Sequence, residues 1–170
     1  MEVDSTQTIT VRSIPDIKMK DFVFTGLLIL IPLIWSGPQL LIGSVVNMLL
    51  FLASSQSRPS SWYVKAALPS LAVIIHGVLF SSFTIYLFYL WPIITIGNWM
   101  YMGIGQSNLK INKVTKLLLA AIIKTSILIL GVIIMVHYKI IPSVMVNSMG
   151  TIQFVTAMIG GLSAILWIKI

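Results

Sequence analysis

Runs of consecutive apolar residues dominate the sequence and leave little chain between them. Six runs can be placed, and at about 20 residues per membrane-spanning helix they would take up about 120 residues. Charged residues make up 9% of the 170-residue chain, far below the share of about 25% in soluble domains. This argues against a soluble domain and against a disordered chain. The sequence therefore predicts an all-α integral membrane protein with little mass outside the lipid bilayer.

The expected spans follow these runs and the polar segments between them. Ser36-Gly37-Pro38 predicts a tight turn after the first run, and the polar segments 54–61 and 106–113 predict loops. Residues 1–20 are polar and predict a cytoplasmic tail ahead of a six-helix transmembrane domain over 21–170. The runs are Phe22–Trp35, Gln39–Ala53, Trp62–Phe80, a fourth that includes Pro92, Val114–Val136 and Met149–Ile168.

The start of the fourth span has two interpretations. Residues 81–90, SSFTIYLFYL, could open a long span over 83–104. Alternatively they form an apolar loop, and Pro92 is near the start of a span over about 91–107. We favour the second, because proline is tolerated in the first helical turn but kinks a helix in its middle. The aromatic run Phe83–Trp91 would then lie at the outer surface, as a lid over a cavity or as an interfacial belt.

Basic residues indicate which ends of the spans face the cytoplasm. With six spans and both termini inside, nine of the eleven Lys and Arg residues fall on the inner side, and only Lys139 falls outside. This bias is a strong positive-inside signal, so we expect six transmembrane helices with cytoplasmic termini. Nucleic-acid binding would also explain a basic chain, but not one this apolar. The nine are Arg12, Lys18, Lys20, Arg58, Lys65, Lys110, Lys113, Lys116 and Lys169.

Carboxylates are confined to the beginning of the chain. The four acids are Glu2, Asp4, Asp16 and Asp21, and residues 22–170 have no carboxylate side chain. Paired-carboxylate catalysis, a carboxylate proton relay and carboxylate sodium or calcium sites therefore cannot be built from the spans. The chain also has no Cys and only two His, which make a poor metal site. We expect no enzymatic activity, no cofactor and no metal site.

Lys124 is the most informative polar residue, because it falls at the middle of the fifth run. A lysine at the bilayer centre costs about 2.5–3.5 kcal/mol on insertion scales, and no carboxylate in the spans can pair with it. Its amine could be uncharged, solvated by carbonyls and amides in a wet cavity, or paired with an anionic ligand. Snorkelling to the interface, the alternative without a functional role, is hardest from the centre.

Other polar residues in the spans predict a cavity beside Lys124. Asn47 and Asn98 lie near the middle of the second and fourth spans, although one asparagine in a span often only joins helices. The remaining strongly polar side chains fall in the outer half of the spans, so a pocket would open outward. The candidate substrate-binding residues are Lys124, Asn98, Asn47, Gln153, Gln39 and His76.

Small residues recur at helical spacing on the last two spans. They share a face with Lys124 in the fifth span and with Gln153 in the sixth. Since small residues let helices approach closely in lipid, both faces should point into the bundle. They are Ala120, Ala121 and Gly131 in the fifth span, and Ala157, Gly160, Gly161 and Ala164 in the sixth.

Several short motifs occur together in the runs: Gly37-Pro38, Asn47, Pro92 through Gly97-Asn98, Lys124, Gln153, Thr156-Ala157 and Gly160-Gly161. In these motifs the chain resembles a small prokaryotic membrane family over about residues 22–168. Members of that family look like substrate-binding S components of energy-coupling-factor (ECF) transporters, and some carry an iron-hydrogenase label. The hydrogenase label has no support here, because a chain without Cys cannot supply the usual ligands of an iron–sulfur cluster.

The resemblance implies an ECF S-component-like bundle in a prokaryotic plasma membrane, with a loop-capped outward pocket for a vitamin or micronutrient. Uptake would need a transmembrane scaffold subunit and ATPase subunits, since this chain has no Gly-rich phosphate loop. The first span offers Thr25 and Gly26 where S components often have an Ala-x-x-x-Ala docking face. Matched residue by residue, the resemblance implies that four residues line the pocket: Asn47, Asn98, Lys124 and Gln153.

Two functions remain open from the sequence. One is the substrate-binding subunit of an ECF-type uptake transporter, which holds a small solute, anionic or rich in hydrogen-bonding groups, beside Lys124. The other is a non-catalytic structural subunit of a larger membrane complex, in which Lys124 meets a carboxylate of another chain. A stand-alone channel or secondary carrier fits less well, because no ion-coupling carboxylate is present.

Overall fold

The computed structural model of the chain describes residues 19–35, 37–57, 59–80 and 85–169. These ranges contain six helices of 16 to 25 residues, one five-residue helix and no strand. The predicted tail lies outside them, except that its last two residues belong to the first helix. The helices are α1 (Met19–Ile34), α2 (Gln39–Gln56), α3 (Pro59–Phe80), α4 (Ile85–Gly105), α5 (Lys113–His137), α6 (Met145–Met149) and α7 (Thr151–Lys169).

Three stretches of the described residues are long and apolar enough to cross a membrane: Gln39–Gln56, Lys113–His137 and Met145–Ile168. A helix suits this environment because it satisfies its own backbone hydrogen bonds where no water is present. The all-helical prediction is thus confirmed for the described residues, and the three stretches indicate a membrane protein.

The contacts between helices close into a ring. Around it, α1 contacts α2 and α3, α3 contacts α4, α4 contacts α5, α5 contacts α7, and α7 contacts α2. Short connections make consecutive helices antiparallel, so the ring has two distinct ends. We call the end with residues 37–38 and 138–144 the cavity end, and the end with residues 106–113 the lysine end.

Local signals fix both ends of α5. Asn112 caps its start, accepting a hydrogen bond on the side-chain oxygen from a backbone N–H three residues later, at 2.6 Å. At the other end, the backbone N–H of Ile140 donates to the carbonyl of Met135. The N–H of Lys139 donates to the carbonyl of Val136, which completes a Schellman motif with Lys139 at a φ of 57°. The motif ends α5 at the cavity end and turns the chain toward α6.

The fourth helix begins earlier than we favoured from the sequence. α4 starts at Ile85 and contains Pro92, so the expectation that the helix begins near Pro92 is wrong. Leu90 is fully buried in a cluster with Leu128 and Val132 of α5. This apolar packing offsets the hydrogen bond that proline removes, and membrane helices tolerate such a residue where neighbours surround it. The aromatic run belongs to α4, apart from its first two residues, which lie outside the described ranges.

Small residues bring α2 and α7 into close contact. A Cβ atom on Gly160 would overlap the backbone oxygen of Ser44 and lie 2.7 Å from the backbone nitrogen of Met48. A Cβ on Gly43 would lie 3.0 Å from a methyl carbon of Thr156. The two helix backbones therefore meet directly, as expected where small residues form a helix interface in lipid. Among the other small residues predicted to face the bundle, Gly131 is half-buried, and the rest are buried: Ala120, Ala121, Ala157, Gly161 and Ala164.

Gly160→Ala should destabilise the bundle, because the backbone atoms of α2 cannot move aside as a flexible side chain can. Overpacking a well-packed interior costs about 1–3 kcal/mol. We expect a lower apparent melting temperature for the purified variant in detergent. Gly26→Ala is the matched control, since nothing lies within 4 Å of the position its Cβ would take. Equal melting temperatures for the two variants would contradict the described contact.

Candidate functional site

A cavity of about 560 Å³ lies within the helix ring, and every helix from α1 to α7 contributes to its wall. It brings together all six polar residues singled out from the sequence. Their roles in binding a solute stay predictions. The six are Lys124, Asn98, Asn47, Gln153, Gln39 and His76.

Polar groups line this cavity at two depths. Gln39 is the first residue of α2 and is exposed, whereas Asn47, about 12 Å further along the helix, is 1% exposed. Asn98 and Lys124 are also buried, at 3% and 2% exposure. We call Asn47, Asn98 and Lys124 the floor of the cavity. Gln39 and the half-buried His76, which lies near the end of α3, belong to its mouth.

Apolar side chains line the cavity between mouth and floor. Ile42 lies between the mouth and floor residues of α2, and Val73 and Ile94 lie at corresponding heights on α3 and α4. Pro32 and Pro69, which lie inside α1 and α3, also contribute to the wall. The cavity therefore has an apolar middle between two polar ends.

A chain of hydrogen bonds fixes the amine of Lys124. Its Nζ donates to Oδ1 of Asn47 at 2.5 Å. The amide nitrogen of Asn47 donates to the backbone oxygen of Gly43 at 2.8 Å and to the hydroxyl of Thr156 at 3.2 Å. That hydroxyl donates to the backbone oxygen of Gln153 at 3.1 Å. Asn47 therefore uses both sides of its amide to position Lys124, and its own contact with a solute stays a prediction.

An aromatic ring lies beneath the same amine. Nζ of Lys124 is 5.3 Å from the ring centroid of Tyr101, within the range of a cation–π interaction. Tyr101 is fully buried, and its hydroxyl donates to the backbone oxygen of Ala157 at 2.8 Å, which holds the ring in place. The sequence interpretation missed Tyr101. Its spacing of three residues from Asn98 places both on one face of α4 and was the available signal.

These contacts satisfy Lys124 only in part. An ammonium group has three N–H donors, and among the described residues Asn47 is the acceptor of its one hydrogen bond. Residues 22–170 contain no carboxylate side chain that could balance the charge. Lys124 is 2% exposed and is one of the residues that line the cavity. A solute bound there can accept a hydrogen bond from an N–H group that Asn47 leaves unused.

Two hydrogen bonds organise the mouth. Gln39 donates from Nε2 to the backbone oxygen of Ser148 at 3.1 Å, which ties the start of α2 to α6. His76 donates from Nδ1 to the backbone oxygen of Leu33 at 2.8 Å, which orients the imidazole against α1. Most of α6 lies between the runs predicted as the fifth and sixth spans, so the sequence did not predict this part of the cavity wall.

Asn47→Leu should destabilise the protein, because it keeps the side-chain volume close but removes the acceptor for Lys124. A hydrogen bond to a charged group contributes about 1.5–3 kcal/mol. Unfolding of the single and double variants in detergent measures the coupling between the two residues. If Asn47 acts by holding the amine, Asn47→Leu combined with Lys124→Met will be more stable than Asn47→Leu alone. Strictly additive losses would contradict this positioning role.

No family model matches the chain, and no curated protein or solved structure matches it either. The geometry of the cavity and the motifs quoted above are therefore the observations from which a function can be argued.

Proposed function

We propose that the protein is the substrate-binding membrane subunit of an ECF-type uptake transporter, similar to an S component, and captures a small vitamin- or micronutrient-like solute. The observation that carries the proposal is the buried amine of Lys124, which adjoins a cavity of about 560 Å³ and has no carboxylate partner in residues 22–170. That volume falls within the range of about 300–1,000 Å³ for small-molecule sites.

In this proposal six helices span the plasma membrane of a prokaryote, with the lysine end in the cytoplasm and the cavity end outside. Lys110, Lys113 and Lys116 lie at the lysine end, as the positive-inside rule requires. Lys65 is buried in α3, and its amine reaches back to Ser57 and Ser61 at that end. The cavity mouth would then face the side from which a solute is taken up.

The proposed partners are a transmembrane scaffold subunit and ATPase subunits. The chain has no phosphate-binding loop to hydrolyse ATP. Its spans have no carboxylate for coupling to protons or sodium ions. Accumulation of the solute would thus draw its energy from other subunits, and the resemblance to S components supplies the class of those subunits.

A structural subunit of a larger complex is the second candidate function. It would use Lys124 to meet a carboxylate of another chain, which requires the amine to reach an outer face of the bundle. Lys124 is 2% exposed and points to the interior cavity. This placement supports capture of a solute over pairing with a neighbouring subunit.

Lys124→Met should abolish or strongly weaken solute binding while leaving the protein folded. Wild-type protein in detergent is first screened by thermal shift against vitamins, nucleobases and small organic anions. A solute at 100 times its dissociation constant stabilises the folded state by about 2.7 kcal/mol. Loss of a charged hydrogen bond of about 1.5–3 kcal/mol corresponds to about 10- to 100-fold weaker binding.

Lys113→Met is the matched control for this experiment. Lys113 is exposed at the first position of α5 and does not line the cavity, so the variant should bind as wild type does. Ile42→Trp fills the cavity from its wall and should block binding. Unchanged affinity in both Lys124→Met and Ile42→Trp would place the solute elsewhere and overturn the proposed site.

Cysteine labelling tests the orientation, and the chain offers a cysteine-free background. Ser143→Cys is exposed at the cavity end and should react with a membrane-impermeant maleimide added to intact cells. Asn108→Cys is exposed at the lysine end and should react only after the cells are opened. The reverse pattern would place the cavity mouth in the cytoplasm and contradict uptake.

A further inference from the structure

The cavity offers one basic side chain of the Lys or Arg type to a bound molecule. Lys124 is the only Lys or Arg among its described lining residues, and the other polar groups there are amides, hydroxyls, the indole of Trp35 and the imidazole of His76. An anionic group beside Lys124 favours the protonated amine, and that single positive charge balances one negative charge. A phosphate monoester, with nearly two negative charges at neutral pH, would leave charge unbalanced in an apolar enclosure.

A metal ion does not change this balance. Within the described residues, no group of three or more His, Cys, Asp or Glu side chains is placed to hold one. The anionic group of the ligand must therefore be neutralised by Lys124 itself. An aliphatic ammonium acts as a point charge and lacks the planar fork with which arginine binds phosphate in two-point contact. A single carboxylate is the anion that suits this floor.

The amine is held ready for such a group before the ligand arrives. Asn47 and the ring of Tyr101 keep Nζ in place, and the surrounding bundle has already removed it from water. Binding therefore requires little further ordering or desolvation of this amine. Such preorganisation favours affinity, because the ligand meets an amine that is already held in surroundings of low polarity.

The apolar middle of the cavity defines the next part of the ligand. Ile42, Val73 and Ile94 line the wall between floor and mouth. A hydrated or polar body would lose hydrogen bonds to water there without replacement. A hydrocarbon or aromatic body of the same length would instead gain from leaving water.

The mouth again offers hydrogen-bonding groups. The amide of Gln39 on α2 and the imidazole of His76 on α3 line it, together with Ser148 of α6. A ligand whose carboxylate lies on the floor places its far end among these groups. That end should carry an amide or hydroxyl group, because the amide oxygen of Gln39 can accept a hydrogen bond while its nitrogen donates to Ser148.

We infer that the solute is an amphipathic monocarboxylate bound head first, with its carboxylate on Lys124, an apolar body along the cavity wall and a hydrogen-bonding group at the mouth. This inference rests on the proposed function and specifies the chemistry of its substrate. Lys124 binds the carboxylate of the solute, and Gln39 binds its distal hydrogen-bonding group.

A panel of matched probes tests this assignment. Monocarboxylates with aliphatic and aromatic bodies of several lengths, with and without a distal amide, are each paired with the primary amide, the amine and the phosphate monoester of the same skeleton. Thermal shift finds the binders, and calorimetry of purified wild-type protein measures their dissociation constants. We expect the binders to be monocarboxylates, each binding at least 10-fold more tightly than its own amide.

Variants then separate the two ends of the ligand. Lys124→Met should remove the preference for the carboxylate over the amide, whereas Lys113→Met should keep it. Gln39→Leu should weaken probes that carry a distal amide and leave those without one unchanged. A carboxylate preference that survives in Lys124→Met would overturn the inference.

The remaining outcomes distinguish this inference from the proposed function. Binding restricted to amines, amides or phosphate monoesters, and blocked by Ile42→Trp, would overturn the monocarboxylate assignment while a solute-binding subunit still stands. Binding of no panel member would also overturn the assignment. The proposed function falls only if the broader screen of vitamins, nucleobases and organic anions finds no solute that depends on the cavity.

Discussion

The position of one lysine amine, buried in a bundle whose residues from 22 onward have no carboxylate side chain, governs the rest of this structure. Lys124 lies at the centre of an apolar helix, and the chain beyond residue 21 offers no acid to pair with it. The bundle stabilises it with neutral groups instead, through the side-chain oxygen of Asn47 and the ring of Tyr101. Neutral partners hold the amine without supplying a counter-charge, so an anionic group from outside the chain can still pair with it.

The packing of the helices serves this arrangement directly. The hydrogen bond from Asn47 to Thr156 requires α2 and α7 to approach closely, and Gly43 and Gly160 allow that approach. A larger residue at Gly160 would move α7 away from α2 and would disturb the acceptor that holds Lys124. The contact between α2 and α7 therefore determines both how these helices pack and where the polar groups of the cavity lie.

Much of the fold and of the site follows from sequence spacing, and the exceptions have physical reasons. Polar residues in otherwise apolar runs predicted the shared cavity, since an expensive group in lipid needs a common interior. The predicted start of α4 was wrong because the burial of Leu90 against α5 outweighs the preference of Pro92 for the first turn of a helix. The sequence did not predict α6, since five residues are too few to show a helical period. Tyr101 was missed because an aromatic residue in a span usually indicates packing.

The order of residues along the chain has a consequence for biosynthesis. Asn47 precedes Lys124 by 77 residues, whereas Thr156, which orients the amide of Asn47, follows it. During synthesis the N-terminal part of a chain is available first. The acceptor of the buried amine is therefore synthesised before the amine itself. The residue that orients this acceptor is synthesised last, so the hydrogen-bonded site is complete only when α7 has been made.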